Sequence, residues 1–196
     1  MSRRFRCDFL DVWPNCLVSC FEPQPGKQAK IHERFAGNQR VRVFGDLLSS
    51  RSGEELTLSL VETASSVLSE HVAKHARSRT FESVALDDWW ERSDRIDPPD
   101  FIKLDVQGFE LEVLKGAERL LPNVEVILAE VNLLDIHKDV PLVHEVSNWL
   151  ADHGFVSFDV AGLTRRPLDR ALWQMDLVFV RRDGRFRMDK RWAASS

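Results

Sequence analysis

An α/β fold built on a mostly parallel sheet is the class this sequence predicts, on two observations. Short apolar or alternating segments of strand character recur along the chain with amphipathic segments between them, the order that layers helices on a parallel sheet. Residues 101–121, FIKLDVQGFELEVLKGAERLL, hold one such unit complete. An apolar run from Phe101 to Leu104 ends on Asp105, Gly108 supplies a tight turn, and Leu111, Leu114, Ala117 and Leu121 recur at helical spacing. Ligands of open α/β sheets sit outside the carboxyl ends of the strands, which is where this order puts Asp105.

The elements come in this order. Residues 17–21 read as a short buried strand ending on Glu22-Pro23, and Pro25-Gly26 start a helix over about 26–35. Val41-Arg42-Val43-Phe44 alternates as a strand and ends on Gly45-Asp46. Residues 55–60 are extended, with Leu56, Leu58 and Leu60 on one face. Residues 61–80 are polar, carry Ser65-Ser66, His71 and His75, and read as a loop with one helical turn at most. A strand resumes over 83–86, and Asp87-Asp88-Trp89-Trp90 begins a short helix whose acidic first turn suits the helix dipole. After the 101–121 unit come a buried strand at 124–131 and a helix at 141–153 with Val143, Val146, Trp149 and Leu150 on one face. Gly154 ends that helix. Strands at 156–160 and 177–180 complete the pattern, and residues 182–196 form a polar, basic tail beyond a single domain over 1–181.

Composition excludes several classes. A net charge of −4 leaves no electrostatic footprint for nucleic acid, although Arg-rich pieces lie at both ends. No apolar run approaches the ~20 residues of a membrane span; the greasiest stretch, 124–134, is broken by Glu125, Glu130 and Asn132. Arg3-Arg4 begin like a signal peptide, but Asp8 and Asp11 stand where its apolar region would have to form. Three cysteines, Cys7, Cys16 and Cys20, fit reduced thiols and a cytoplasmic location. Cys16 and Cys20 lack a second ligand pair at zinc-like spacing and read as small buried residues.

The chemistry-bearing residues cluster at strand ends. Two readings are open for Asp105: a ligand-facing carboxylate, or the N-cap of the following helix. Glu130 is unusual inside an apolar strand, since charged residues are rarely buried unpaired; it is a base or substrate ligand, or a strand-end carboxylate reaching water. His137, just beyond, titrates near neutrality if unperturbed and is a base or an ordinary loop histidine. Glu110 fits helix stabilisation better than substrate contact. No metal site is assigned, because the spacing of Asp105, Glu130 and His137 is not diagnostic. Trp89, Trp90, Trp149, Trp173 and Trp192 are candidates for an apolar pocket; Trp149 reads as core and Trp173 fits the pocket better. Arg165-Arg166 is an anion site or, more simply, a solvated turn.

Six blocks in order carry a family resemblance over about 14–181: Val18-Ser19-Cys20-Phe21-Glu22-Pro23; Val43-Phe44-Gly45-Asp46; Ala64-Ser65-Ser66-Val67; Leu86-Asp87-Asp88-Trp89; the 101–121 unit; and the pair Gly162–Asp169 with Trp173-Gln174-Met175-Asp176-Leu177. Together they resemble the FkbM-type methyltransferases. The resemblance implies a methyltransferase-type Rossmann-like sheet with helices on both faces and S-adenosylmethionine as cofactor. It implies O-methylation of a hydroxyl on a small molecule, sugar or polyketide. It places Glu22 on the ribose hydroxyls, Gly45 and Asp46 beside the adenine, and Asp105 near the amino group or sulfonium, with Asp105, Glu130 and His137 as catalytic candidates. One departure stands out: the family's first strand and glycine-rich turn have no counterpart, since residues 1–16 hold no glycine and 1–14 look like the tail of the helix that should succeed them. The expectation is therefore an N-terminally shortened chain, from an internal start, a decayed gene or a substitute strand. The competing reading is a non-catalytic remnant or a domain completed by a partner, with homo-oligomerisation through an exposed strand edge.

Overall fold

The computed structural model describes residues 10, 12–60, 77–93 and 97–193. Its elements are β1 (Val18–Phe21), α1 (Pro25–Arg34), β2 (Val41–Phe44), β3 (Leu47–Ser49), β4 (Glu55–Leu60), β5 (Arg77–Ala85), α2 (Leu86–Arg92), β6 (Phe101–Leu104), α3 (Glu110–Lys115), β7 (Val126–Asn132), α4 (Val143–Asp152), β8 (Phe155–Arg165) and β9 (Leu172–Arg181). Short 3-10 turns stand at Leu121–Asn123 and Arg185–Arg187. The readings of 1–9, Cys7, and 61–76 with Ser65, Ser66, His71 and His75 lie outside the described residues.

Mixed α/β architecture holds, but the sheet is less parallel than expected. Among the described residues the strands form three ladders, β1-β2, β3-β5-β4 and β6-β7-β9-β8. The pairs β1/β2, β3/β5 and β6/β7 are parallel, while β4/β5, β7/β9 and β8/β9 are antiparallel. The antiparallel share comes from strands longer than the apolar runs that announced them. Residues 77–80, expected as loop, belong to β5, and β8 and β9 extend into a hairpin. That hairpin closes through Arg166, whose N–H bonds the Ala171 carbonyl, and through Arg170 at φ 65°. Cross-strand hydrogen bonding there outweighs the weak periodicity of a polar, exposed strand.

Register divides the four-stranded sheet into two faces. Leu104 lies opposite Ala129, and Ile127 and Ala129 lie opposite Phe179 and Leu177. These residues and Ile102 are buried in one cluster with Val113 and Leu114 of α3 and Val146 and Leu150 of α4. Each of the larger side chains among them contributes ~1.5–3 kcal/mol by leaving water. The other face of the same strands carries Lys103, Glu130, Asn132, Gln174 and Asp176. β1 and β2 join the rest through aromatic contacts: Trp89 of α2 meets Phe21 at 4.7 Å and Phe44 at 4.6 Å between ring centroids.

The helix expected over 108–121 stops at Lys115, for two reasons. Gly116 passes so close to β3 that a Cβ would overlap the Ser49 carbonyl oxygen. Beyond it, the buried carboxylate of Asp87 takes the N–H groups of Arg119 at 2.8 Å and Leu120 at 3.1 Å, so these amides turn away from an α-helical ladder. Asp87, expected to serve the dipole of its own helix, thus ties α2 to the turn after α3, and its own N–H bonds the Gly116 carbonyl at 2.8 Å. Arg119 in turn pairs with Asp87, Asp88 and Glu91. Gly154 ends α4 as expected, at φ 83°.

Asp87→Ala takes the acceptor from the Arg119 amide, leaves the Leu120 amide only the Ala117 carbonyl, and removes the partner of the Arg119 guanidinium. It should lower the unfolding free energy by about 3 kcal/mol, read from urea denaturation. Asp88→Ala, on an exposed side chain, should cost less than about 1 kcal/mol. Equal losses in the two variants would refute the role given to Asp87.

Candidate active site

The site grows from the turn after β6. The chain leaves Leu104, passes Asp105, and reverses through Gln107 at φ 56° and Gly108 at φ 94°. Left-handed backbone is ordinary for glycine but strained for glutamine. Glu110, the first residue of α3, holds this turn from inside the protein: its Oε1 accepts the N–H of Val106 at 3.1 Å and of Gly108 at 3.2 Å. Glu110 therefore organises the turn and is not presented to a substrate, as its position at a helix start suggested. Asp105 does not cap α3, whose N-cap is Phe109 without a side-chain bond. Its carboxylate instead takes Lys103 Nζ at 3.0 Å on one oxygen and Gln107 Nε2 at 3.3 Å on the other.

Glu130 stands on the neighbouring strand, one residue beyond the partner of Leu104. Gln107 Nε2 also donates to Glu130 Oε1 at 2.9 Å, so one amide bridges the two carboxylates. From the other side, Gln174 Nε2 donates to the same Oε1 at 2.8 Å and to Asn132 Oδ1 at 3.3 Å. Asp176 lies opposite Glu130 on β9, and Gly162 lies opposite Asp176 on β8. A Cβ at Gly162 would press on the Asp176 carboxylate, which would have to shift. A row of three carboxyl groups, Asp105, Glu130 and Asp176, thus crosses the sheet near the carboxyl ends of β6 and β7.

Crowding sets their acidity. Burial first, and then the charges of Asp105, Glu110 and Asp176, raise the Glu130 pKa to about 8 against the lowering effect of Lys103. Burial raises Glu110 to about 7 against the lowering effect of its backbone donors. Asp176 is also raised by burial, with Lys103 opposing and Asp105 adding. A carboxyl group that titrates near neutrality beside a charged neighbour is suited to proton transfer.

Glu22, Gly45 and Asp46 form the second group, at the ends of the adjacent parallel strands β1 and β2. The Glu22 N–H bonds the Phe44 carbonyl at 3.0 Å, which places Glu22 beside Gly45. Its Oε1 accepts the Gln24 N–H at 2.9 Å. Gln28 Nε2 donates to the Glu22 carbonyl at 2.6 Å, and a Cβ on Gly45 would press on that same amide.

The other candidates divide. His137 is 1% exposed in the loop after β7. Trp89 belongs to the aromatic joint, Trp149 packs on the core and stacks on His153, and Trp192 is fully exposed, so it lines no pocket. Arg166 pairs with Asp169, and Arg165 donates to the Arg170 carbonyl, both within the β8–β9 turn. Arg181 donates to the Leu121 and Val124 carbonyls and covers the Phe155 ring. Sequence reasoning gave no site role to Lys103, Gln174 or Asp176. The available signal was Gln174 and Asp176 two apart in an otherwise apolar strand, which puts both on one face.

Raised carboxyl pKa values make folding sensitive to pH. Folded Glu110 and Glu130 hold protons that the unfolded chain, with a pKa near 4.5, releases. Their contribution is full below about pH 4.5 and is lost as pH rises through 7 to 8. Glu110 alone should remove on the order of 3 kcal/mol over that window. Urea midpoints across the window should fall with pH and flatten in Glu110→Gln; an equally steep fall in the variant would exclude Glu110 as the source.

Known proteins resemble this chain in sequence and fold. Residues 7–157 match the family model of the methyltransferase FkbM domain. A 2-O-methyltransferase, NoeI, of Sinorhizobium fredii is 24% identical over 145 residues, covering 66% of this chain and 59% of that protein. A hexuronic acid methyltransferase, AglP, of Haloferax volcanii is 31% identical over 126 residues, covering 63% of this chain and 50% of that protein. This chain therefore spans between half and three-fifths of the relatives it matches. The crystal structure of methyltransferase FkbM from Methylobacillus flagellatus KT shares the fold, with a TM-score of 0.55 at 17% identity over 88% of this chain and 39% of that one. With the family model matching residues 7–157, most of its length, this chain belongs to the methyltransferase FkbM domain family.

Proposed function

We propose that the chain carries out methyl transfer from S-adenosylmethionine to a hydroxyl group of a sugar-like small molecule, with Glu130 as the base that takes the hydroxyl proton. The observation that carries this reading is the pairing of Asp105 and Glu130 on adjacent parallel strand ends through one shared amide donor. The two named relatives act on an O-methylation site and on a hexuronic acid, which supports an oxygen acceptor of the sugar class.

The residues present suit the cofactor. Glu22 offers acceptors only, which fits a pair of ribose hydroxyls, and its second oxygen is not the one that holds Gln24. Gly45 and Asp46 stand one strand over, at the end of the strand paired with that of Glu22, which supports giving them the adenine side. The carboxyl row of Asp105, Glu130 and Asp176 favours a cation, which a sulfonium is. When bound, the cofactor supplies an electrophilic methyl group. The chain supplies position and proton handling. Asp105, fixed by Lys103 and Gln107, orients the cationic end, and Glu130 removes the acceptor proton as the oxygen attacks. His137, at 1% exposure, would have to be uncovered before it reached an acceptor, so the base role is given to Glu130.

Calorimetry with the 196-residue chain tests the cofactor half. Micromolar binding is expected, weakened about tenfold or more by Glu22→Ala and by Asp105→Ala. An absence of binding by the unaltered chain would defeat the reading. Methyl transfer to a panel of free-hydroxyl glycosides tests the rest. Only the carboxylate form of Glu130 is a base, so the rate should climb as pH rises through about 8 and level off above it. Glu130→Gln should lower the rate by about 100-fold or more. A Glu130→Gln enzyme with an unchanged rate and profile would move the base elsewhere.

A further inference from the structure

The geometry points to Gln107 and Gln174 as positioning residues that clamp one oxygen of Glu130, so that its proton is carried and exchanged on the other oxygen, Oε2, alone. The inference rests on the reading of Glu130 as the base and adds which atom does the work and what selects it. Two amide N–H donors converge on Oε1, at 2.9 Å from Gln107 and 2.8 Å from Gln174. An oxygen that receives two donors has both lone pairs in use and has no place for a hydrogen of its own. The orientation of each amide is fixed by a second acceptor. Gln107 Nε2 also faces Asp105 Oδ1, and Gln174 Nε2 also faces Asn132 Oδ1. Beside the ionised Glu130, an amide oxygen in either place would meet two acceptors with no proton between them.

Backbone geometry gives independent support. Gln107 is held at φ 56°, where glycine would be easier, directly before Gly108 at φ 94°. A long side chain in strained backbone signals a function for that side chain. Its amide is the bridge between the carboxylates of β6 and β7. Gln174 is 3% exposed, so its donor is committed to the interior. The charged groups around Glu130 are Asp105 and Lys103 from β6, Glu110 from α3 and Asp176 from β9. Asp105 and Asp176 favour the protonated acid, and Glu110 adds to them in its charged form. Lys103 opposes them, and the two amide donors add to it by stabilising the carboxylate.

The test needs no acceptor. Infrared difference spectra of the 196-residue chain, with its glutamates carbon-13 labelled, are recorded through the Glu130 titration. Glu130→Gln identifies the band. In the wild type the carbonyl stretch of protonated Glu130 should lie low, because the carbonyl oxygen accepts two bonds. Gln174→Met and Gln107→Gly should each raise that frequency and move the titration midpoint up by about one pH unit. Gln107→Gly relieves the strained backbone, so it remains informative if Gln174→Met folds poorly. An unmoved band and midpoint in the variants, or a midpoint moved downward, overturns the clamp. So does a wild type with no protonated Glu130 band. A wild-type chain with the expected spectra but no methyl transfer keeps the clamp and loses the proposed function; transfer with unmoved spectra does the reverse.

Discussion

The register of β6 against β7, Leu104 opposite Ala129, is the constraint on which the rest of the molecule depends. Strand side chains alternate between faces, so a slip of one residue would exchange the two faces of the sheet. In the observed register Ile102, Leu104, Ile127 and Ala129 enter the core, and Lys103 and Glu130 emerge together on the opposite face with Asp105 at the strand end. Burial of the apolar set, at ~1.5–3 kcal/mol per larger side chain, is far larger than any single polar contact across the other face. The core therefore sets the positions, and the carboxylates have to accept being crowded. β9 extends the same division by placing Asp176 opposite Glu130 and Leu177 opposite Ala129.

Three carboxyl groups of similar chemistry are used in different ways according to what surrounds them. Asp87 is buried and takes two backbone amides and a guanidinium, so it serves as a structural acceptor between α2 and the turn beyond α3. Glu110 is equally buried and takes two backbone amides, but among the described residues no cation forms an ion pair with it, and burial drives it toward the neutral form. Isolated buried charge is costly enough that protonation is the easier outcome. Glu130 has side-chain donors in place of backbone ones, on one oxygen. Side-chain donors can be arranged without breaking a turn or helix, and they keep a carboxyl group near a sheet end in one orientation.

A third feature is the aromatic joint. Phe21, Phe44 and Trp89 bring strands β1 and β2, with Glu22, Gly45 and Asp46 at their ends, against the helix that succeeds β5. Aromatic side chains bury large areas and hold preferred angles, so a few of them position a two-stranded ladder that shares no backbone hydrogen bond with the larger sheet among the described residues. The positions of Glu22, Gly45 and Asp46 thus depend on side-chain packing, whereas Asp105 and Glu130 depend on backbone pairing.

The sequence by itself determined the strand–turn–helix of 101–121, the strand ends bearing Glu22, Asp46 and Asp105, and the family. These rest on local patterns: apolar runs, glycine at turns and fixed spacings. Glu130 was visible as a carboxylate out of place in an apolar run. Tertiary structure alone decided where α3 stops, because that depends on the Ser49 carbonyl and the Asp87 carboxylate, which are distant in sequence. It also decided how parallel the sheet is, since hydrogen bonding between long strands does not depend on their hydrophobic pattern. The meeting of Gln107, Gln174 and Asp176 at Glu130 was likewise beyond the sequence, because cross-strand partners are set by register between distant segments, Gln174 lying 44 residues from Glu130.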